Sequence, residues 1–376
     1  MSGGWHHRKS VGDYFSINPF LPQPATNFDE SHPTFDKYNL DPRLIEALTK
    51  CGFTKSTNIQ HEAIPKMLEY PDSNTIIAAE TGNGKTLAFL IPLLNQLLYL
   101  KDIEESKQVN SPYAVVVTPG RELADQIGSV AENLCSYLNL RVRVHKGGQI
   151  RKQILSGPRD EVDIVVGSQG GLSKLFHEGY LKRDRTSIIA LDEIDTLLDD
   201  TFKDDLLSFL RKFGLQGQSV ATGVKIMMAG ATFPTNFESY LSSVMEVDDI
   251  LRVSTKNIHR VLFHFPQKFL RLSPSHKPEK LIEILEKDLV KLKANNKILI
   301  FSNKSSTSDF VQIFLNQNKI DCVNFNGAHH YKFRRETLDK FISGQVSTKI
   351  ICKHIIILMI ITGQCDVLYR FDISGY

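Results

Sequence analysis

Cysteine is scarce in this 376-residue sequence: Cys51, Cys135, Cys322, Cys352 and Cys365 are the only five, and no two form a C-x-x-C pair. That spacing excludes a cysteine zinc module and a disulfide framework, and it fits a reducing compartment. Charge of one sign is also lacking. A net charge of +3 is too small to imply a nucleic-acid partner by itself, so any basic surface must come from local arrangement. Long apolar runs are missing as well. The longest, IIILMII at 355–361, is far too short to span a bilayer, and no membrane partner is expected. The N-terminus reads as no secretory signal, and His6, His7, Arg8 and Lys9 are offset by Asp13, Asp29 and Glu30, unlike an acid-poor transit peptide.

What is present is an ordinary globular composition, 41% hydrophobic and 23% charged, over a length that suits two domains or one large α/β domain. Residues 1–33 are polar and punctuated by proline (NPFLPQPATN), and read as a poorly ordered extension. From about residue 40, short apolar runs alternate with helical patterns. The runs are TIIAA (75–79), AVVVT (114–118), VRVHK (142–146), DIVVG (163–167), SIIAL (187–191) and KIMMA (225–229). Continuous apolar strands alternating with helices predict a parallel sheet covered on both faces. A second series, VLFHF, KILIF, DCVNF and TKIIC, starts near 260 and alternates with helical stretches such as PEKLIEILEKDLVKL. Two α/β domains are therefore expected, at 34–253 and 254–351, joined around DDILRVSTKN (248–257).

The stretch AAETGNGKT (78–86) places a glycine-rich turn between a strand and an apolar helix. In such a turn Thr81, Gly82, Asn83 and Gly84 can aim backbone N–H groups at a phosphate, and the helix N-terminus adds a favourable dipole. Lys85 would reach the outer phosphates, and the Thr86 hydroxyl would ligate magnesium. In IIALDEIDTLL (188–198) an apolar strand ends in Asp192 and Glu193, at the carboxyl edge where α/β proteins bind ligands. Asp192 would hold the metal through water, and Glu193 would orient or deprotonate an attacking water.

Asp192-Glu193-Ile194-Asp195 resembles the D-E-A-D signature of the DEAD-box RNA helicases, with isoleucine in the alanine slot. The resemblance runs over residues 35–350 and implies tandem RecA-like domains. Phe35, Gly52, Phe53, Ile59 and Gln60 fall at the spacings of the family's Q motif. That implies ATP, with Gln60 pairing to adenine N6 and N7 and Phe53 stacking on the base. VVVTPGRELADQ resembles P-T-R-E-L-A, with Gly120 in the threonine slot. HKGGQ supplies Gly147 and Gly148, and GSQGGL supplies Gly170 but has Gly171 in an arginine slot. GATF keeps Ala231 and Thr232 of S-A-T, and HYKFRR keeps Arg334 of Q-x-x-R, with Tyr331 in the glutamine slot. The resemblance implies that Pro119, Arg121, Gly147, Gly148, Gly170 and Arg334 grip RNA, and that Asp195 and Thr232 couple the domains. Such a grip on sugar and phosphate gives affinity without reading sequence, and 2′-hydroxyl contacts favour RNA over DNA.

The departures GATFP, DTLLDD and FLRLSPSHKPEKL resemble the mitochondrial members associated with assembly of the large mitoribosomal subunit. This implies ribosomal RNA and assembly factors as partners, a monomer, and the mitochondrial matrix, with nucleus or cytoplasm as alternatives. After TKIIC the family continues with T-D-x-A-x-R-G-x-D and H-R-x-G-R-x-G-R; here the chain reads KHIIILMIITGQCDVLYRFDISGY, with Arg370 its only arginine. Residues 352–376 are thus expected to form an atypical tail on an incomplete second domain, either as a natural C-terminus or as a truncated or misread product. Two functions follow: ATP-dependent RNA remodelling with lowered turnover, or a non-catalytic ATP- and RNA-binding module. A P-loop protein acting on DNA is a third, which the Q-motif register and D-E-x-D oppose.

Overall fold

The computed structural model describes residues 32–104, 108–145, 154, 157, 159–200, 202–215, 223–233, 236–255, 270, 274–291, 298–302, 304–352 and 367–371. The expected strand VLFHF and the Gly147–Gly148 pair lie outside them. Two parallel sheets organise the chain.

The first contains β1 (Thr75–Ala78), β2 (Ala114–Thr118), β3 (Val142–His145), β4 (Ile164–Ser168), β5 (Ile188–Asp192), β6 (Lys225–Gly230) and β7 (Leu251–Ser254). Their order is β3-β4-β2-β5-β6-β1-β7. The helices are α1 (Pro42–Lys50), α2 (Asn58–Glu69), α3 (Lys85–Ile103), α4 (Arg121–Cys135), α5 (Gln169–His177), α6 (Ile194–Leu197), α7 (Lys203–Leu210) and α8 (Phe237–Leu241). Strand pleating assigns the faces. Ala114 and Val116 of β2 join the core under α1–α4, with Leu44, Ile64, Leu94 and Ala131. Val115 and Val117 join the opposite core with Leu172, Leu206, Phe209 and Leu241. Full burial of each such aliphatic side chain contributes roughly 1.5–3 kcal/mol, so a strand buried on both faces needs apolar residues at every position. Helix α3 is long and apolar enough to meet the length of a bilayer span, yet Phe89, Leu90, Leu93, Leu94 and Leu97 are core residues here.

The second sheet contains β8 (Ile298–Ser302), β9 (Cys322–Phe325), β10 (Thr348–Cys352) and β11 (Val367–Phe371), in the order β11-β8-β10-β9. Ile298, Ile300 and Ile350 pack with Leu281 and Leu285 of α9 (Lys277–Lys291) and Val311 and Leu315 of α10 (Ser305–Gln317). Leu299 and Phe301 turn to the other face and meet Phe341 of α11 (Tyr331–Ile342).

Three elements depart from the sequence reading. LRVS, expected in the connector, is the edge strand β7, paired in parallel with β1. Of its four residues only Val253 is fully buried, so it carries too little apolar signal to read as a strand. Within the expected tail, Val367–Phe371 pairs in parallel with β8 from Ile298 to Ser302. The expected extension ends packed on the domain, with Ser56 N–H donating to Pro33 O at 3.4 Å and His32 stacked on His61.

Helix α4 lies so close to β3 that a Cβ at Gly128 would overlap Val144 Cγ2. Alanine favours a helix interior over glycine by about 1 kcal/mol, and overpacking opposes it by about 1–3 kcal/mol. Gly128→Ala is therefore expected to lower stability in urea melts, and Gly128→Ala combined with Val144→Ala to recover part of the loss. A stabilised single variant would show that α4 shifts freely.

Candidate functional site

Parallel strands end at one edge, and the order β5-β6-β1 brings three of those ends side by side. In register, Ala78 pairs with Gly230 and Asp192 with Ala229. The loop from β1 to α3 therefore opens beside the acidic end of β5 and the GAT segment after β6.

That loop turns on Gly82 and Gly84, with φ of +83° and +82°, left-handed backbone that glycine adopts without strain. Two residues of the Q-motif region brace it. Thr57 Oγ1 donates to Asn83 O at 2.7 Å, and Gln60 Nε2 donates to Gly84 O at 3.0 Å. Gln60 Oε1 accepts from Thr57 N–H at 3.0 Å, as a glutamine does in a capping box. Gln60 is only 2% exposed, and these bonds use one of its two amide hydrogens and one of its two lone pairs. The other pair remains for a ligand edge. Phe53 is half-buried and packs against the core. Thr57 was not singled out from sequence, although a threonine three residues before Gln60 is a readable capping signature.

Lys85 Nζ donates to Ala79 O at 2.7 Å and Glu80 O at 3.0 Å. Burial pushes its pKa down, against the opposing pull of Asp192, Asp195, Glu193 and Glu80. Thr86 Oγ1 donates to Asp192 Oδ2 at 3.4 Å. Asp192 is buried, and burial raises its carboxyl to about 6 despite Lys85, the Glu193 N–H and Thr86. Burial likewise raises Glu193 to about 9, followed by repulsion from Asp192 and Asp195. Glu193 has φ +54° and ψ +51°. A non-glycine residue in that region costs roughly 1–3 kcal/mol, a strain that clusters at working sites.

Thr86 and Asp192 together offer a hydroxyl and a carboxylate, hard oxygen donors that suit magnesium. Among the described residues no group of three His, Cys, Asp or Glu side chains could hold an ion by itself. That donor set fits a cation whose remaining ligands are phosphate oxygens and water. Asp195 reaches the neighbouring strand end: its Oδ2 accepts from Thr232 Oγ1 at 3.0 Å, Thr232 N at 3.1 Å and Ala231 N at 3.3 Å.

The other half of the edge, β3-β4-β2, carries the remaining expected positions. Pro119 and Arg121 follow β2, and Gly170 follows β4 with open space around it. Arg334 on α11 faces Glu122, the residue after Arg121. Nη2 stands 2.7 Å from Oε1, but Oε1 has no hydrogen-bond partner, so the contact is coulombic. Both side chains are largely buried there. Arg334 thus has its charge met by the carboxylate of Glu122, a residue of the P-T-R-E-L-A match.

Residues 57–240 match the DEAD/DEAH box helicase family. The chain carries a DEAD-box helicase domain. It is 29% identical to the "Probable ATP-dependent RNA helicase DDX28" of Mus musculus over 99% of this chain and 70% of that protein. To the protein of the same name from Homo sapiens it is 31% identical, over 87% of this chain and 62% of the relative. S. cerevisiae Dbp5 bound to RNA and ADP BeF3 superposes with a TM-score of 0.70 at 20% identity, over 86% of this chain and 76% of that one, which shows the shared fold. The DEAD-box match thus spans the braced phosphate loop, the acidic strand end and most of the first sheet.

Glu193 gives a signed pH dependence. Below its ordinary value of 4.5 the carboxyl is protonated in folded and unfolded chains alike and costs nothing. Between there and about 9 the unfolded chain gives up the proton while the folded one keeps it, so stability falls as pH rises. In metal-free thermal melts from about pH 5 to about pH 9, the advantage of Glu193→Gln over the parent is expected to widen with pH. A pH-independent difference would show that burial does not hold Glu193 protonated.

Proposed function

We propose that this chain is an ATP-dependent RNA helicase that binds ATP on the β1-β5-β6 half of the edge and RNA on the β2-β3-β4 half. The chain spans 62–70% of the length of the two DDX28 relatives, so their activity is carried over here as a proposal. One observation carries it: Lys85, Thr86, Asp192 and Glu193 meet at adjacent strand ends, beside a phosphate loop braced by Gln60.

The chemistry follows from those groups. Gln60 offers adenine its remaining donor and acceptor, an arrangement that guanine does not match. Phe53 supplies an apolar face for the base. Lys85, already partly desolvated, turns from two carbonyls to phosphate oxygens. Magnesium, when bound, would neutralise developing phosphate charge, held by Thr86 and, through water, by Asp192. Glu193 orients the attacking water and, once the charge of the bound cation favours its ionised form, takes its proton. Asp195 links this chemistry to Thr232 and so to the end of β6. Arg121, with backbone around Pro119 and Gly170, grips sugar and phosphate rather than bases, which suits remodelling without sequence preference. Gly147 and Gly148 are proposed for the same surface from their motif alone.

The motif departures GATFP, DTLLDD and FLRLSPSHKPEKL support ribosomal RNA as substrate and the mitochondrion as compartment. Assembly factors as partners and a monomeric state belong to the same proposal.

Titration of ATP against Lys85→Ala is expected to show a loss of roughly 1.5–3 kcal/mol, the cost of one charge-assisted contact. Gln60→Ala should narrow the preference for ATP over GTP. Glu193→Gln should retain ATP binding and lose RNA-stimulated phosphate release. Equal ATP affinity in Lys85→Ala and the parent would remove the phosphate cradle. Unchanged turnover in Glu193→Gln would reduce that residue to a helix-capping acid.

A further inference from the structure

Glu80 lies between the phosphate loop and the point where the chain leaves the first sheet. One of its oxygens, Oε2, accepts two hydrogen bonds: from Asn83 Nδ2 at 3.0 Å and from Thr255 Oγ1 at 2.8 Å. Thr255 is buried and follows β7 directly; its N–H donates to Ala78 O at 3.1 Å, continuing the pairing of β7 with β1. In sequence it precedes the stretch that leads to the second sheet. Asn83 is buried too and fixed on its other sides, with its carbonyl held by Thr57 and its N–H donating to Glu80 O at 3.3 Å. Its Oδ1 is buried without a partner.

We propose that Glu80 and Thr255 form a clasp that passes the state of the phosphate loop to the chain segment following β7. Both are positioning residues, and the proposal rests on the ATP reading above. The loop and the strand exit share one carboxylate oxygen, so neither contact changes without the other. A triphosphate entering the loop brings several negative charges toward the Glu80 carboxylate and offers Asn83 Nδ2 a new acceptor. Repulsion drives Glu80 away from the loop, and the hydroxyl of Thr255 is the partner left to it. Thr255 in turn cannot give up its acceptor cheaply, because a buried hydroxyl without one carries its full desolvation cost. Nucleotide binding thus interacts differently with the two arrangements, which is what any conformational coupling requires.

Hydrogen–deuterium exchange on the full chain, with and without AMP-PNP and magnesium, tests the clasp without requiring RNA. In the parent, saturating AMP-PNP is expected to slow exchange in the peptide containing Thr255 by roughly fivefold or more. Thr255→Val, similar in shape but without the hydroxyl, should abolish that response while keeping ATP affinity within about twofold of the parent. Thr255→Ser should restore it. Glu80→Gln keeps an acceptor but removes the charge that phosphate repels, and should give a reduced response. An unresponsive peptide in the parent at saturation, or an equal response in Thr255→Val, overturns the clasp. A parent that fails to bind ATP in the accompanying titration overturns the nucleotide site and the clasp together. Lack of RNA stimulation with the exchange response intact counts against the helicase reading alone.

Discussion

Parallel pairing is the constraint on which the rest of this molecule depends. Each strand of the first sheet must return by a crossover to start at the same edge, so every carboxyl end opens on the opposite one. Strand order then decides which loops become neighbours. With β5, β6 and β1 adjacent, three segments distant in sequence meet: the phosphate loop, the D-E-I-D corner and the GAT turn. With β3, β4 and β2 adjacent, the segments bearing Arg121 and Gly170 meet instead. The edge of the seven-stranded sheet thereby offers two separate groups of strand ends, one proposed for the nucleotide and one for the RNA backbone.

Charge burial is the cost of that arrangement. Lys85, Asp192 and Glu193 are all held away from water, and burial moves the lysine down and both acids up. The three charges offset one another only partly, because two carboxyls face one ammonium. Additional cationic charge near Asp192 would stabilise the ionised acids, and anionic phosphate would stabilise the lysine. The site is therefore electrostatically better matched to a nucleotide and its cation together than to either alone. The left-handed backbone at Glu193 adds strain at the same place. Packing from Ile194, Leu197 and Leu198, all buried in the core beneath, holds it there.

Much of this was legible in the sequence because it rests on local patterns. The fully buried strands read as apolar runs, and the glycine-lysine-threonine turn has few alternative uses between a strand and a helix. The parts that were not legible depend on partners far away in the chain. LRVS became β7 through backbone pairing with β1, which leaves almost no side-chain signature at an edge. Val367–Phe371 was obscured by the unfamiliar residues around it, although Val367, Tyr369 and Phe371 recur with the period of a strand. Glu122 falls within the P-T-R-E-L-A match, which assigns it no partner. Its contact with Arg334 spans more than 200 positions, a relation no local pattern encodes.

Gln60 shows how one residue can serve both architecture and recognition. Its amide binds Thr57 N–H on one side and Gly84 O on the other, so removing it would loosen the loop as well as the proposed base contact. A Cβ at position 84 would collide with that same amide, so the glycine is required by close packing as well as by its positive φ. The phosphate loop is consequently held from both flanks, by Thr57 and Gln60 on one and by Glu80 on the other. A loop fixed in this way meets a phosphate with its N–H groups already oriented, and little ordering entropy remains to be lost on binding. The same hydrogen bonds tie the loop to Thr57 and Gln60 at the start of α2 and, through Glu80, to Thr255 at the end of β7.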